Sequence, residues 1–164
     1  HHAVGELQAA LDDFDRAISL KANYTTAYYN RGLVYKDLGL LQDAQRDFDQ
    51  VIQLSPSQAS AYLHRGQTRA GLGDPNGALA DYTQVLRLQP NEARAYQYRA
   101  VVRSANGDKS GALADYDQAL QLNPEGGEMY RNRAKLRLEL GDTAGALTDY
   151  TQAISLNPKE AETF

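Results

Sequence analysis

Tyr62-Leu63-His64-Arg65-Gly66, then Gly73-Asp74-Pro75, Gly77-Ala78-Leu79, Asp81-Tyr82 and finally Pro90 decide how this chain folds. Most of these markers belong to columns that step by 34 residues. Tyr28, Tyr62, Tyr96, Tyr130 and Phe164 form one column; Gly39, Gly73, Gly107 and Gly141 form another, with Gly5 one period earlier. Ala10, Ala44, Ala78, Ala112 and Ala146 keep the same step, as do Phe14, Phe48, Tyr82, Tyr116 and Tyr150. Pro56, Pro90, Pro124 and Pro158 close each period. So many columns on one step mark a stacked array of a single small supersecondary unit.

Within a period the pattern reads as two helices. Ala27 to Leu38 has small and apolar residues at helical spacing and stops at Gly39, a residue suited to ending a helix. A second helix from about Gln42 to Leu54 stops before Pro56, because the residue before a proline is pushed out of the helical region. Gly73-Asp74-Pro75 places a C-cap glycine, an N-cap carboxylate and a first-turn proline in order. Gly107-Asp108 and Gly141-Asp142 keep the glycine and the cap, whereas Gly39-Leu40 lacks the carboxylate, so that helix start is expected to be the least well capped. Gly32, Gly66, Ala100 and Ala134 on the first helix are expected to face the alanine column on the second, allowing close approach. The aromatic columns then fill the spaces between helices, and the tyrosine excess becomes core material.

The helix–turn–helix period and the motif quoted above resemble the tetratricopeptide repeat, in the form found in many bacterial proteins. The resemblance covers nearly the whole chain and implies an all-α, right-handed superhelical solenoid of antiparallel helix pairs. The expected divisions are 1–24 (the end of a first helix plus a second helix), 25–58, 59–92, 93–126, 127–160, and 161–164 as the start of a truncated repeat. The ends therefore read as a cut from a longer array. His1-His2 reads equally as native helix or tag remnant.

Composition limits the alternatives. The 164 residues are 42% hydrophobic and 23% charged, with a net charge of -4, which excludes a disordered tail, a collagen-like polymer and a strongly basic nucleic-acid binder. Zero cysteines remove disulfides, thiolate metal sites and thiol nucleophiles. No apolar run approaches the roughly 20 residues that span a bilayer, and no signal-peptide pattern opens the chain, so the expected location is cytoplasmic, without membrane insertion. Leu and Ala are abundant and β-branched residues few, which favours helix over sheet.

Charges inside the repeat also fall in columns. Arg31, Arg65, Arg99 and Arg133 are expected to pair with Asp47, Asp81, Asp115 and Asp149 across the two helices of each full repeat. A second column, Arg69, Arg103 and Arg137, with Tyr35 in the first full repeat, has no obvious partner and is expected in part to reach solvent. Asp13 belongs to the aspartate column, whereas Asp12 and Asp15 read as a solvated face.

No catalytic constellation emerges. His64 is the only histidine away from the terminus and has no triad or acid–base partner at a suitable spacing. The glycines are helix stops and crossings rather than a phosphate loop, and no metal or cofactor is expected. What remains is a surface. In the family resembled, the first helix of each repeat lines a concave groove. That mapping selects Tyr29, Asn30 and Leu33; Leu63, His64 and Gln67; Gln97, Tyr98 and Val101; and Arg131, Asn132 and Lys135. Such a mixture of rings, chains and hydrogen-bonders suits an extended peptide or a partner helix. Some family members hold a chaperone's C-terminal carboxylate with a Lys/Asn clamp. Tyr29, Leu63 and Gln97 stand where its Lys is needed and Leu33, Gln67 and Val101 where its Asn is needed, so that clamp is absent. The expected role is a protein-interaction scaffold that is not an enzyme. The rival readings are a docking or regulatory segment of a larger enzyme and an array that self-associates end to end.

Overall fold

The computed structural model describes residues 2–157. His1, Pro158 and the short unit at 161–164 lie outside the described residues. Helix formation follows the sequence pattern closely, with α1 His2–Leu20, α2 Thr25–Asp37, α3 Leu41–Leu54, α4 Ala59–Gly71, α5 Pro75–Leu88, α6 Ala93–Ala105, α7 Lys109–Leu122, α8 Gly127–Glu139 and α9 Thr143–Leu156. No strand occurs among the described residues.

The turns have the expected chemistry. Gly39, Gly73, Gly107 and Gly141 adopt φ of 75°, 78°, 85° and 85°, the left-handed region where a side chain is disfavoured. Asp74, Asp108 and Asp142 then cap the next helix, each accepting a hydrogen bond of 2.9 Å from the backbone N–H three residues on. Leu40 offers α3 no side-chain cap, as its sequence foretells. Gly5 behaves differently: α1 runs unbroken through it. Glu6 and Leu7 follow it, residues that favour helix continuation and provide no serine, threonine or aspartate cap.

The chain divides into two compact units, His1–Leu88 and Gln89–Phe164. In the N-terminal unit α1 packs on α2, α2 on α3, α3 on α4 and α4 on α5. Its core contains Leu11, Ala44, Phe48, Val51, Ala61, Leu63, Ala78, Tyr82 and Val85. The small residues on the first helices do permit close approach, but what they meet is the aromatic column, one turn beyond the alanines. A Cβ placed on Gly32 would lie 3.0 Å from Phe48 Cε1, and one on Gly66 would lie 2.7 Å from Tyr82 Cε1.

In the C-terminal unit α6 packs on α7, α7 on α8 and α8 on α9. Ala100, Ala112, Tyr116, Ala119, Leu120, Met129 and Leu136 form one buried cluster, with Tyr96, Leu113 and Tyr130 packed against it. Here alanine replaces glycine at the crossings, and Ala100 and Ala134 are fully buried. On α9, Leu147 and Ile154 are 68% and 52% exposed, whereas Leu120, one period before Ile154, is 5% exposed beneath α8.

Candidate peptide-binding faces

The charged columns organise the helices that carry the faces. Asp47, Asp81, Asp115 and Asp149 are all buried. Each is gripped in a fork by the arginine 16 residues earlier: Nε donates to Oδ2 at 2.8–3.0 Å and Nη2 to Oδ1 at 2.6–2.7 Å. This is the bidentate geometry that a planar guanidinium makes with a carboxylate. The same arginines lie over the half-buried rings of Tyr28, Tyr62, Tyr96 and Tyr130, with Cζ 5.5–5.6 Å from the centroids, close enough for cation–π attraction. Those rings are thus sandwiched surface rather than full core, unlike Phe48, Tyr82 and Tyr116.

Two features of this lattice depart from the sequence reading. The second arginine column does not reach freely to solvent. Arg69 and Arg103 donate to Asp81 and Asp115 at 3.0 and 2.9 Å, and Arg137 pairs with Asp149 at 3.0 Å, so three of the four buried carboxylates hold two guanidinium groups. Tyr35 replaces the second arginine beside Asp47 and lies 5.7 Å beneath Arg31. Asp15 is also no mere solvated residue, since Arg31 Nη1 donates to it. Arg65 reaches Asp49 and Arg133 reaches Asp117 in the same way, each at 2.7 Å. Each of these three arginines therefore ties its own repeat to the one before.

Electrostatics follow from burial. The hydrogen bonds from Arg31 to Asp47 hold the Arg31 guanidinium above the ordinary arginine range. Burial pushes the Asp47 carboxyl upward while Arg31 pulls against it. Burial also raises the Tyr116 phenol to about 12; Glu128 adds to that rise and a hydrogen bond with Asn132 opposes it.

The first-helix faces are best defined in the N-terminal unit, where α2 and α4 meet directly. Tyr29, Leu33 and Lys36 lie at i, i+4 and i+7 on α2, one stripe of a helix. The His64 ring on α4 stacks on Phe48, with centroids 5.9 Å apart, and meets the Tyr29 ring edge-on at 5.8 Å. Lys36 Nζ donates to Gln67 Oε1 at 3.2 Å and stands 3.3 Å from His64 Nδ1, which is itself 3.1 Å from the same Gln67 oxygen. Asn30, on the same helix, is half-buried. Leu63 must be withdrawn from the face: it is 3% exposed and belongs to the core, as its apolar chain favours. Lys36 was missed because its column also holds Ala70, Ser104 and Leu138, which share no chemistry.

In the C-terminal unit, α6 carries Gln97 and Tyr98, half-buried, and Val101, exposed. On α8, Arg131 and Asn132 are half-buried and Lys135 exposed. Asn132 is the residue that hydrogen-bonds Tyr116, so part of its capacity already serves packing. Among the described residues no group of three or more His, Cys, Asp or Glu is placed to hold a metal ion. No described helix is long and apolar enough to cross a membrane.

Family models described as "TPR repeat" and "Tetratricopeptide repeat" match residues 1–39 and 25–58, and a third, also "Tetratricopeptide repeat", matches 63–127 and 99–161. Among solved structures, MamA is 19% identical with a TM-score of 0.91, covering 98% of this chain and 94% of its own. YrrB, described as a TPR protein with an unusual peptide-binding site, is 21% identical with a TM-score of 0.81, covering 99% and 87%. A thermophilic TPR protein of Thermus thermophilus is 25% identical with a TM-score of 0.75, covering 98% and 88%. No curated protein matches the chain by sequence.

Proposed function

Because the chain belongs to the tetratricopeptide repeat family, we propose that it is a protein-interaction scaffold, without chemistry of its own, that receives a peptide segment or partner helix on its first-helix faces. The observation carrying this reading is the convergence of Tyr29, Lys36, His64 and Gln67 from two successive first helices. Rings and hydrogen-bonding groups brought together there offer the apolar contacts and polar register that an extended peptide needs. The likeness to YrrB, whose description names a peptide-binding site, supports the same reading.

The test is selection of dodecapeptides from a displayed library on the full chain, followed by titration of the selected peptides against variants. Asn30→Ala, Gln67→Ala and Lys135→Glu probe the faces; Arg46→Ala and Arg87→Ala, on second helices, are controls. Loss of affinity confined to the face variants is expected, and equal affinity across all five would reject the reading.

A second reading rests on α9. Its only charged residue, Asp149, is buried, which leaves Leu147 and Ile154 as an uncharged apolar surface of the kind that another helix covers. A second copy of the chain is the proposed occupant. Light scattering across a concentration series should then show a monomer–dimer equilibrium that Leu147→Glu abolishes; a monomer throughout would reject it.

A further inference from the structure

We propose that the α2–α4 face selects an acidic side chain, Asp or Glu, in the bound peptide, and that Lys36 is the residue that reads it. The inference deepens the scaffold reading and rests on it. Its starting point is an imbalance of charge. Arg31, Arg65 and Arg69 of the N-terminal unit are matched by Asp15, Asp47, Asp49 and Asp81. Lys36 is not matched in this way. Lys36 is half-buried, and the groups beside its ammonium, Gln67 Oε1 and His64 Nδ1, belong to side chains without negative charge. Tyr29, Asn30, Leu33, His64 and Gln67 bring no carboxylate to the face. An ammonium has three donors, so at least one remains beyond those that Gln67 and His64 can accept.

A half-buried cation with no carboxylate among its hydrogen-bonding partners creates a local positive potential in a chain whose net charge is -4. A carboxylate arriving there completes a charge-assisted hydrogen bond at Lys36. The stripe sets what flanks it, because Leu33 and Tyr29 lie one and two turns before Lys36 along α2. An acidic residue bound at Lys36 therefore places its apolar neighbours against Leu33 and the Tyr29 ring. The equivalents of Lys36 in the other repeats, Ala70, Ser104 and Leu138, carry no charge, so the preference belongs to this one position.

The test is parallel selection of displayed dodecapeptides on the wild-type chain and on Lys36→Glu, with circular dichroism showing both folded. The wild type should enrich Asp or Glu at one place within an apolar pattern, and Lys36→Glu should enrich Lys or Arg there. For a selected peptide, replacing that Glu with Gln, or Lys36 with Ala, should each weaken binding about tenfold, with the double change adding little. Affinity should fall with added salt. Face-dependent binding with no acidic preference, or the same charge pattern selected by both chains, overturns the role of Lys36 and leaves the scaffold reading standing. Failure to select any face-dependent peptide overturns both.

Discussion

Arg65 offers a controlled comparison because it holds two carboxylates of contrasting burial. Asp81 is 2% exposed and accepts three hydrogen bonds, from Arg65 Nε at 3.0 Å, Arg65 Nη2 at 2.6 Å and Arg69 Nη1 at 3.0 Å. Asp49 accepts one, from Arg65 Nη1 at 2.7 Å, and its side chain is 43% exposed. Asp81→Ala strands two guanidinium groups beside an emptied, buried space, a loss of about 3–5 kcal/mol. Asp49→Ala removes a water-screened contact worth about 0.2–1 kcal/mol. With a urea dependence of about 2 kcal/mol per molar, the midpoint of the transition that includes α4 and α5 should fall by about 1.5–2.5 M for Asp81→Ala. The fall for Asp49→Ala should be about 0.5 M or less on the same scale. Asp81→Asn, which keeps the volume and one acceptor, should fall between them. Urea titration followed by far-ultraviolet circular dichroism separates the three. A midpoint shift for Asp49→Ala equal to that of Asp81→Ala would refute the argument that burial, rather than distance, sets the strength of this lattice.

Three further outcomes follow from other parts of the fold. The Tyr116 phenol should titrate late, near pH 12. Since unfolding returns it to its ordinary value near 10, its contribution is intact below pH 10 and falls by on the order of 3 kcal/mol as pH rises to about 12. Absorbance at alkaline pH should show Tyr116→Phe removing that late titration. Gly66→Ala gains about 1 kcal/mol of helix propensity but drives a methyl group into the buried Tyr82 ring, a repacking cost of about 1–3 kcal/mol. It should therefore lower the thermal midpoint more than Gly32→Ala, where the nearest ring atom is 3.0 Å away; a rise would contradict the tight crossing. Leu40→Ser supplies the cap that α3 lacks and should stabilise by about 1 kcal/mol, read as a higher urea midpoint.

Much of this was legible in the sequence because helix ends have local chemistry. Glycine columns at φ near 80° and aspartate caps can be read one residue at a time, and so could the uncapped start after Leu40. The fork from Arg65 to Asp81 was also legible, from two helices forced together at Gly66. What escaped was contact between consecutive repeats. Asp15, Arg31 and Asp47 are spaced 16 and 16 apart, and a search at that spacing rather than within one repeat would have found both carboxylates. Leu63 was misplaced because a column containing Tyr29, Gln97 and Arg131 suggested a shared outward role, while burial was decided by its own apolar chain. Lys36 was overlooked for the opposite reason: a residue unlike its column was discounted, although differences between repeats are where specificity can be encoded.

The arginine that grips one carboxylate sixteen residues back and another sixteen ahead also acts as a ruler. With 3.6 residues per turn, a one-residue insertion within a helix on either side of Arg65 rotates everything beyond it by about 100° and misaligns the grip that spans it. Natural or engineered changes in length are therefore tolerated in the turns or as whole 34-residue modules, and an array built on this ruler diversifies by adding and exchanging modules rather than by stretching them.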